Sequence, residues 1–274
     1  MDKQIVLVYC LCDDLLKALH HAEDPQNRIS DAEVMTAVII GALHYSGNLD
    51  KARRALLEQG YIPYMLSKSR FNRRYHACSD LFLTLFNVLG EAWKQLNDQS
   101  RYVLDSFPIA VCENCRIPRC RIYQNEAFRG YQASKKRYFY GVKIHLMVSA
   151  QGHPVEFFLT PGSVSDTRAL KMYNFDIPEQ SQIIGDKAYN DYGFEDLMEE
   201  CGRSLTPIRK DNSKRPVTPW VAYLLAKGRK VVETTGSLIQ RLLPRHIHAI
   251  TPAGFELKVA LFVLAASINF MPIS

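Results

Sequence analysis

A short apolar segment that ends in a single carboxylate places the strongest constraint on the fold of this chain. Ile183 and Ile184 precede Gly185 and Asp186, and a helix-like segment follows at residues 192–201. Two β-branched residues before a glycine indicate a buried strand, with the aspartate at its carboxyl end. A buried carboxylate is costly unless a cation or hydrogen bonds compensate its charge. We therefore interpret Asp186 as a metal ligand that needs partners elsewhere in the chain.

Two other carboxylates are suitable partners for Asp186. Asp105 ends a strand predicted from Arg101 and broken by Pro108, and Glu233 lies on a predicted helix at residues 219–242. Each acid also has a structural interpretation, because the aspartates could cap a turn or a helix and the glutamate could pair with Arg229. Only the joint placement of the three acids favours a shared site.

The order of the predicted elements indicates the fold class. Three antiparallel strands come first, and strands then alternate with helices, which predicts an α/β domain with a mixed sheet flanked by helices. The predicted strands are residues 101–108, 138–150, 155–160, 181–186 and 204–208, and the helices are 167–173, 192–201, 219–242 and 251–270. Residues 1–98 are predicted to form a small helical domain, with a capping box at Ser30 and Glu33, and residues 99–274 form the second domain.

Composition limits the classes of partner and compartment. The 274 residues carry a net charge of +6, which is a mild indication of a polyanionic partner. The most apolar segment, residues 259–270, is too short for a bilayer, which needs about 20 residues. The seven cysteines are odd in number and no signal peptide precedes them, so we expect reduced thiols in the cytoplasm. Zinc at Cys112, Cys115 and Cys120 would lack a fourth ligand nearby in sequence.

Two basic segments are candidates for binding a phosphate backbone. The first interleaves basic and aromatic residues on a predicted helix at residues 68–78, and its basic residues are Lys68, Arg70, Arg73 and Arg74. Such a helix could lie on DNA, or it could simply be a solvated basic face, and the sequence favours neither. The second segment contains Lys135 and Lys136 and has basic residues from Arg116 to Lys143.

The chemistry of the three acids indicates which metal would bind. A site made of carboxylates alone suits Mg²⁺ or Mn²⁺. Two such ions about 4 Å apart can activate the attacking oxygen and stabilise the leaving oxygen of an in-line phosphoryl displacement. We expect Lys187 and Arg229 to lie closest to the phosphate that reacts.

Several motifs together resemble the DDE transposases of bacterial insertion sequences, and insertion-sequence family 982 is the nearest match. The motifs are Leu104–Ser106, Tyr140–Leu146, Thr160–Thr167, Gly185–Tyr189 and Arg229–Glu233, and the resemblance covers residues 100–270. It implies an RNase H-like catalytic domain with Asp105, Asp186 and Glu233 as the metal-binding triad.

The resemblance also covers a signature on the last catalytic helix, Tyr-x2-Arg-x3-Glu-x6-Lys. Arg229 and Glu233 match this signature, whereas Ala226 and Gln240 stand at its tyrosine and lysine positions. His145 and Asp166 also match recurrent positions of the family. We interpret His145 as a structural strand residue and Asp166 as a helix cap.

The mechanism that the resemblance implies is cleavage followed by joining. Metal-activated water hydrolyses a phosphodiester at the end of the element, and the exposed 3′-hydroxyl then attacks target DNA. The resemblance implies that the helical N-terminal domain, residues 1–98, binds DNA and recognises the terminal inverted repeats. The implied partners are double-stranded DNA, at those repeats and at the target, and a second copy of the chain in a homodimer or larger assembly. Two alternatives stay open: an RNase H-like nuclease that cuts without joining, and a catalytically silent DNA-binding derivative.

Overall fold

The computed structural model describes residues 1–272, which form two compact units. Residues 1–89 and the chain from residue 238 onward make up the first unit, and residues 90–237 make up the second. The first unit is helical, and the second contains the whole sheet. The domain boundary between residues 98 and 99 remains a prediction, because compact packing does not by itself show which part folds alone.

The first unit is built from amphipathic and fully buried helices. They are α1 (Asp2–Ala18), α2 (Asp31–His44), α3 (Leu49–Glu58), α4 (Lys68–Ala77), the first part of α5 (Ser79–Gln95), the end of α8 (Pro219–Leu242) and α9 (Pro252–Asn269). The predicted capping box is confirmed, because the Ser30 side chain accepts a hydrogen bond from the Glu33 amide at 3.1 Å and the Glu33 carboxylate accepts one from the Ser30 amide at 2.7 Å.

The helix α9 is the most apolar element of the chain. Its length and mean hydropathy of 1.3 would suit a membrane span, but 72% of it is buried inside the protein. It packs against α2, which is itself buried over most of its length. This burial is the behaviour of a core helix, and it explains why α9 is apolar on every side.

The second unit is a six-stranded mixed sheet with helices around it. The strands are β1 (Arg101–Cys112), β2 (Arg129–Gln132), β3 (Arg137–Ser149), β4 (Pro154–Pro161), β5 (Gln182–Gly185) and β6 (Ser204–Pro207). β3 is antiparallel to β1, β2 and β4, and β5 is parallel to both β1 and β6. Two further helices, α6 (Asp166–Met172) and α7 (Tyr192–Glu200), belong to this unit. The predicted mixed sheet flanked by helices, preceded by a helical N-terminal region, is confirmed.

The predicted break at Pro108 is wrong, because β1 continues to Cys112. Pro108 stands opposite Lys143 of β3, while β1 pairs with β5 only between Arg101 and Leu104. From residue 105 onward β1 therefore has one neighbouring strand, and a residue without an amide proton is tolerated at an open strand edge. The short strand β2 was not predicted, because its four residues are too few to show an alternation of apolar and polar residues in the sequence.

Candidate active site

Two of the three predicted acids lie side by side where the pairing of β1 with β5 ends, Asp105 within β1 and Asp186 just after β5. In the parallel pair of β1 and β5, Leu104 lies opposite Gly185, and the pairing ends there. Asp105 and Asp186 are the next residues of the two strands. The carboxyl ends of adjacent parallel strands are where open sheets form their ligand-binding crevices. The register of these two strands therefore brings together carboxylates that are far apart in sequence.

The third acid reaches the same place from α8. The Arg229 guanidinium lies 3.4 Å from an Asp105 oxygen, 3.0 Å from an Asp186 oxygen and 3.5 Å from a Glu233 oxygen. Arg229 and Glu233 are one helical turn apart, so both side chains leave the same face of α8. One guanidinium thus contacts all three carboxylates. The Glu233 side chain is 52% exposed, against 22% for Asp105, so the cluster is open to solvent at its glutamate.

Burial and charge act against each other at Asp105. Burial raises the pKa of its carboxyl group, and the nearby Asp186 raises it further. The Arg229 guanidinium and a hydrogen bond from the Ser106 amide, at 2.9 Å, lower the same pKa. Burial is the largest of these influences, so the site favours additional positive charge beside Asp105.

The chemistry of the three acids suits a hard divalent cation, and their oxygens, joined through Arg229, are not all within 4.8 Å of one another. All three acids offer carboxylate oxygens, which Mg²⁺ and Mn²⁺ prefer, and the cluster already contains a positively charged group. Within the described residues, one group of three potential ligands has its ligand atoms within 4.8 Å of one another, and it is His21, Glu23 and Asp31. There, Arg74 and His21 already bind Asp31 at 2.5 and 2.9 Å, so its charge is compensated.

A hydrogen-bonded chain behind Asp105 was missed by the sequence analysis. The Ser106 hydroxyl donates to Asp166 at 2.9 Å, and the Lys143 ammonium contacts the same Asp166 oxygen at 3.2 Å. The predicted helix-cap role of Asp166 is wrong, because Ser165 caps α6 by accepting from the Arg168 amide. Asp166 instead connects β1 to β3 and positions the residue after Asp105. The sequence shows that Ser106 follows Asp105, and the contact of Ser106 with Asp166 became apparent only in the structure.

The interpretation of His145 as a structural residue is confirmed. Its two ring nitrogens lie 3.1 Å from the Tyr189 hydroxyl and 3.0 Å from the Thr160 hydroxyl. Its side chain is fully buried and stacks on Phe158. Burial lowers the pKa of His145 to about 4, so the ring is neutral at physiological pH and ties β3 to β4 and to the turn after Asp186.

The predicted DNA-binding residues lie in different environments. Lys187, Lys135, Lys136, Arg70 and Arg73 are exposed. Lys68 is exposed as well and pairs with Asp50 at 2.7 Å. Arg74 differs from them, because it is half-buried and binds Asp31 within the helical unit.

Two arginines of the loop at residues 208–218, which carries several basic residues and precedes α8, also have internal partners. Arg209 binds the buried Glu195 at 2.6 Å, and Arg215 binds Asp196 at 2.7 Å. These pairs hold the loop against α7. The positive charges of Arg209 and Arg215 are therefore neutralised within the unit. Fewer cations of this loop can bind a phosphate than the number of basic residues in its sequence indicates.

Comparison with known proteins places this geometry in a family context. The family model described as a transposase DDE domain matches residues 97–246, which is more than half of the chain and includes all three acids. No curated protein matches the chain. Among solved structures, the chain is similar to the piggyBac transposase in a cryo-EM structure of a synaptic complex with hairpin DNA. The TM-score is 0.48 at 9% identity, over 96% of this chain and 73% of that one.

Proposed function

The chain belongs to the DDE transposase family, and from this premise we propose that it cuts the ends of an insertion sequence and joins the 3′-hydroxyl to target DNA. The supporting observation is the single guanidinium that contacts Asp105, Asp186 and Glu233, where the pairing of β1 with β5 ends. We propose that the chain belongs to insertion-sequence family 982. We also propose that it acts in the bacterial cytoplasm, bound to nucleoid DNA.

The proposed cofactor is Mg²⁺ or Mn²⁺, with two ions held by Asp105, Asp186 and Glu233. When bound, such ions lower the pKa of an attacking oxygen and stabilise charge on the leaving oxygen. The residues of the chain supply the rest. Ser106 and Asp166 hold the part of β1 that carries Asp105, and β1 and β5 fix the spacing of the two aspartates. Glu233, the most exposed of the three, approaches from α8.

The proposed substrate is double-stranded DNA, at the terminal inverted repeats and at the target. Arg229 contacts the acids and the exposed Lys187 directly follows Asp186 in sequence, and we assign both to the phosphate that reacts. Lys68, Arg70 and Arg73 on α4, with Lys135 and Lys136 in the second unit, are proposed contacts to the flanking backbone. Two element ends must meet for joining, so we propose a homodimer or larger assembly on DNA.

The proposal is tested by Asp186→Asn in a cleavage assay with labelled element ends and Mg²⁺. Asparagine keeps the size of the side chain and removes the negative charge that a cation needs. We expect DNA binding and folding to persist, and both nicked and joined products to fall below detection. Adding EDTA to the wild-type protein should have the same effect on both products.

The matched control is Asp196→Asn, an exposed carboxylate on α7 of the same unit whose partner is Arg215. It should leave cleavage and joining within about twofold of wild type, since exposed ion pairs contribute little. Cleavage by Asp186→Asn at the wild-type rate would refute the metal site. Cleavage by wild type without any joined product would indicate a nuclease instead of a transposase.

A further inference from the structure

A cavity in the helical unit has a composition that the proposed active site does not explain. It encloses about 730 Å³ and lies entirely within the first unit. One wall comes from α2, α3 and α4, and the other comes from the segment Pro244–His248 and from α9. None of the three acids lines it. The segment between α8 and α9 therefore lines a cavity that is separate from the proposed active site.

The base of this cavity consists of closely packed aromatic side chains. Phe71, Tyr75 and Phe262 line it and are each at least 97% buried. The Tyr75 hydroxyl is buried and has no hydrogen-bond partner among the described residues. An unpaired buried hydroxyl is unfavourable, and this one could gain a partner in the cavity only if the side chains that cover it moved. Burial also raises the pKa of Tyr75, so this group remains a proton donor at physiological pH.

The charged residues that line the cavity are mostly basic. The lining includes one carboxylate, that of Asp50, and four basic side chains, which are Arg53, Lys68, Arg245 and Lys258. Asp50 is already shared by Arg53 at 2.9 Å and Lys68 at 2.7 Å. Within the described residues, no carboxylate lies within 4.0 Å of the Arg245 or Lys258 side chains. Two cations on one wall are therefore available to an anion.

The environment of Lys258 also favours an anionic ligand. Its ammonium group donates a hydrogen bond to the His248 carbonyl, which neutralises no charge. Burial lowers the pKa of Lys258, because the charged form is poorly solvated there. A phosphate oxygen would compensate this cost through a charge-assisted hydrogen bond.

We propose that this cavity binds the phosphodiester backbone of the transposon-end DNA, clamped between α4 and the segment Pro244–His248 with α9. The inference rests on the proposed function for its ligand, and it adds a second contact region formed by the C-terminal part of the chain. DNA is favoured over a single small anion because the basic residues are spread over both walls of an open cavity, as a run of phosphates requires. Lys68, already assigned to DNA, lies on one of these walls.

The test is fluorescence anisotropy of the full-length protein with labelled element-end duplex at several salt concentrations, in EDTA. The variants are Arg245→Gln, Lys258→Gln and the double variant. Each removed phosphate contact should lower the slope of log affinity against log salt by about 1, and the double variant should bind at least tenfold more weakly. The matched control is Lys17→Gln, an exposed lysine of the same unit outside the cavity, which should bind like wild type.

Different failures have different meanings in this experiment. If the wild-type protein binds no duplex DNA, the proposed function fails and this inference fails with it. If wild type binds but the double variant keeps the same affinity and salt slope, the cavity is not a DNA contact and the proposed function stands. Because Lys258 is partly buried, the exposed Arg245 is the decisive single variant if Lys258→Gln unfolds. Competition by inorganic phosphate, with a duplex affinity that the variants do not change, would identify a small-anion site and overturn the proposal.

Discussion

Arg229 determines the charge balance of the proposed active site. Three carboxylates that share one partner repel each other, and the Arg229 guanidinium is the positive group that contacts all of them. Its Nε atom is buried and has no hydrogen-bond partner among the described residues, so its orientation is set by the acids. The residue that the sequence assigned to a phosphate thus also has a structural role within the protein.

Arg229→Gln should lower the stability of the protein in EDTA, because the repulsion between the acids is no longer compensated. We expect a loss of about 1 to 2 kcal/mol, which is modest because the site is partly exposed. Thermal unfolding measures it, and Mn²⁺ should restore more stability to the variant than it adds to wild type. Arg229→Lys is the control and should show a smaller loss. Equal unfolding temperatures for wild type and Arg229→Gln in EDTA would contradict this role of Arg229.

At the level of elements, the approach of α5 to the sheet depends on one glycine. A Cβ atom at Gly90 would lie 2.5 Å from the Val155 carbonyl oxygen, which is backbone of β4 and cannot move easily. Glycine in a helix normally lowers stability relative to alanine by about 0.5 to 1 kcal/mol. Here the close contact outweighs that preference. The helix can therefore pack directly against the strand only because residue 90 has no side chain.

Gly90→Ala should destabilise the protein by about 1 to 3 kcal/mol, as overpacking does, despite the better helix propensity of alanine. The matched control is Gly193→Ala on α7, where the nearest atom to a new Cβ is 3.7 Å away. That variant should gain up to about 1 kcal/mol. Urea unfolding measures both changes. Our account of α5 packing is wrong if the two alanines shift the unfolding midpoint in the same direction.

At the level of the whole molecule, the helical unit is assembled from both ends of the chain. The helix α9 buries a continuous apolar surface against α2, and the two belong to the same compact unit although about 200 residues separate them. The C-terminal helix is therefore part of the structure that carries α4 and the basic cavity. This arrangement bears on the prediction that residues 1–98 form a domain.

Residues 1–98 expressed alone should not fold cooperatively, because α2 would expose the surface that α9 covers. Each large apolar side chain left in water lowers the free energy of unfolding by about 1.5 to 3 kcal/mol. The summed loss for several such side chains is larger than the free energy of unfolding of a typical domain. Circular dichroism during heating measures this. Fusion of residues 238–274 to the fragment should restore a cooperative transition. Cooperative unfolding of residues 1–98 alone would support the predicted domain boundary and contradict our expectation.

The sequence by itself determined the local features of this protein. Strand and helix periods, the capping box at Ser30 and the position of Asp186 directly after a strand follow from residues near one another in the chain, whereas Asp105 proved to lie within β1 and not at its end. The mixed sheet could also be predicted, because the order of its elements allows few arrangements. The catalytic roles of the acids remain a prediction, which the Asp186→Asn experiment tests.

Only the tertiary structure decided which distant groups meet. It placed Glu233 and Arg229 beside the two aspartates, made Asp166 a partner of Ser106 and Lys143, and joined α9 to α2. It also allowed β1 to continue through Pro108. These outcomes depend on strand register, on open strand edges and on packing across long stretches of chain. Such contacts leave no periodic signal in the sequence, because their partners are brought together only when the whole chain folds.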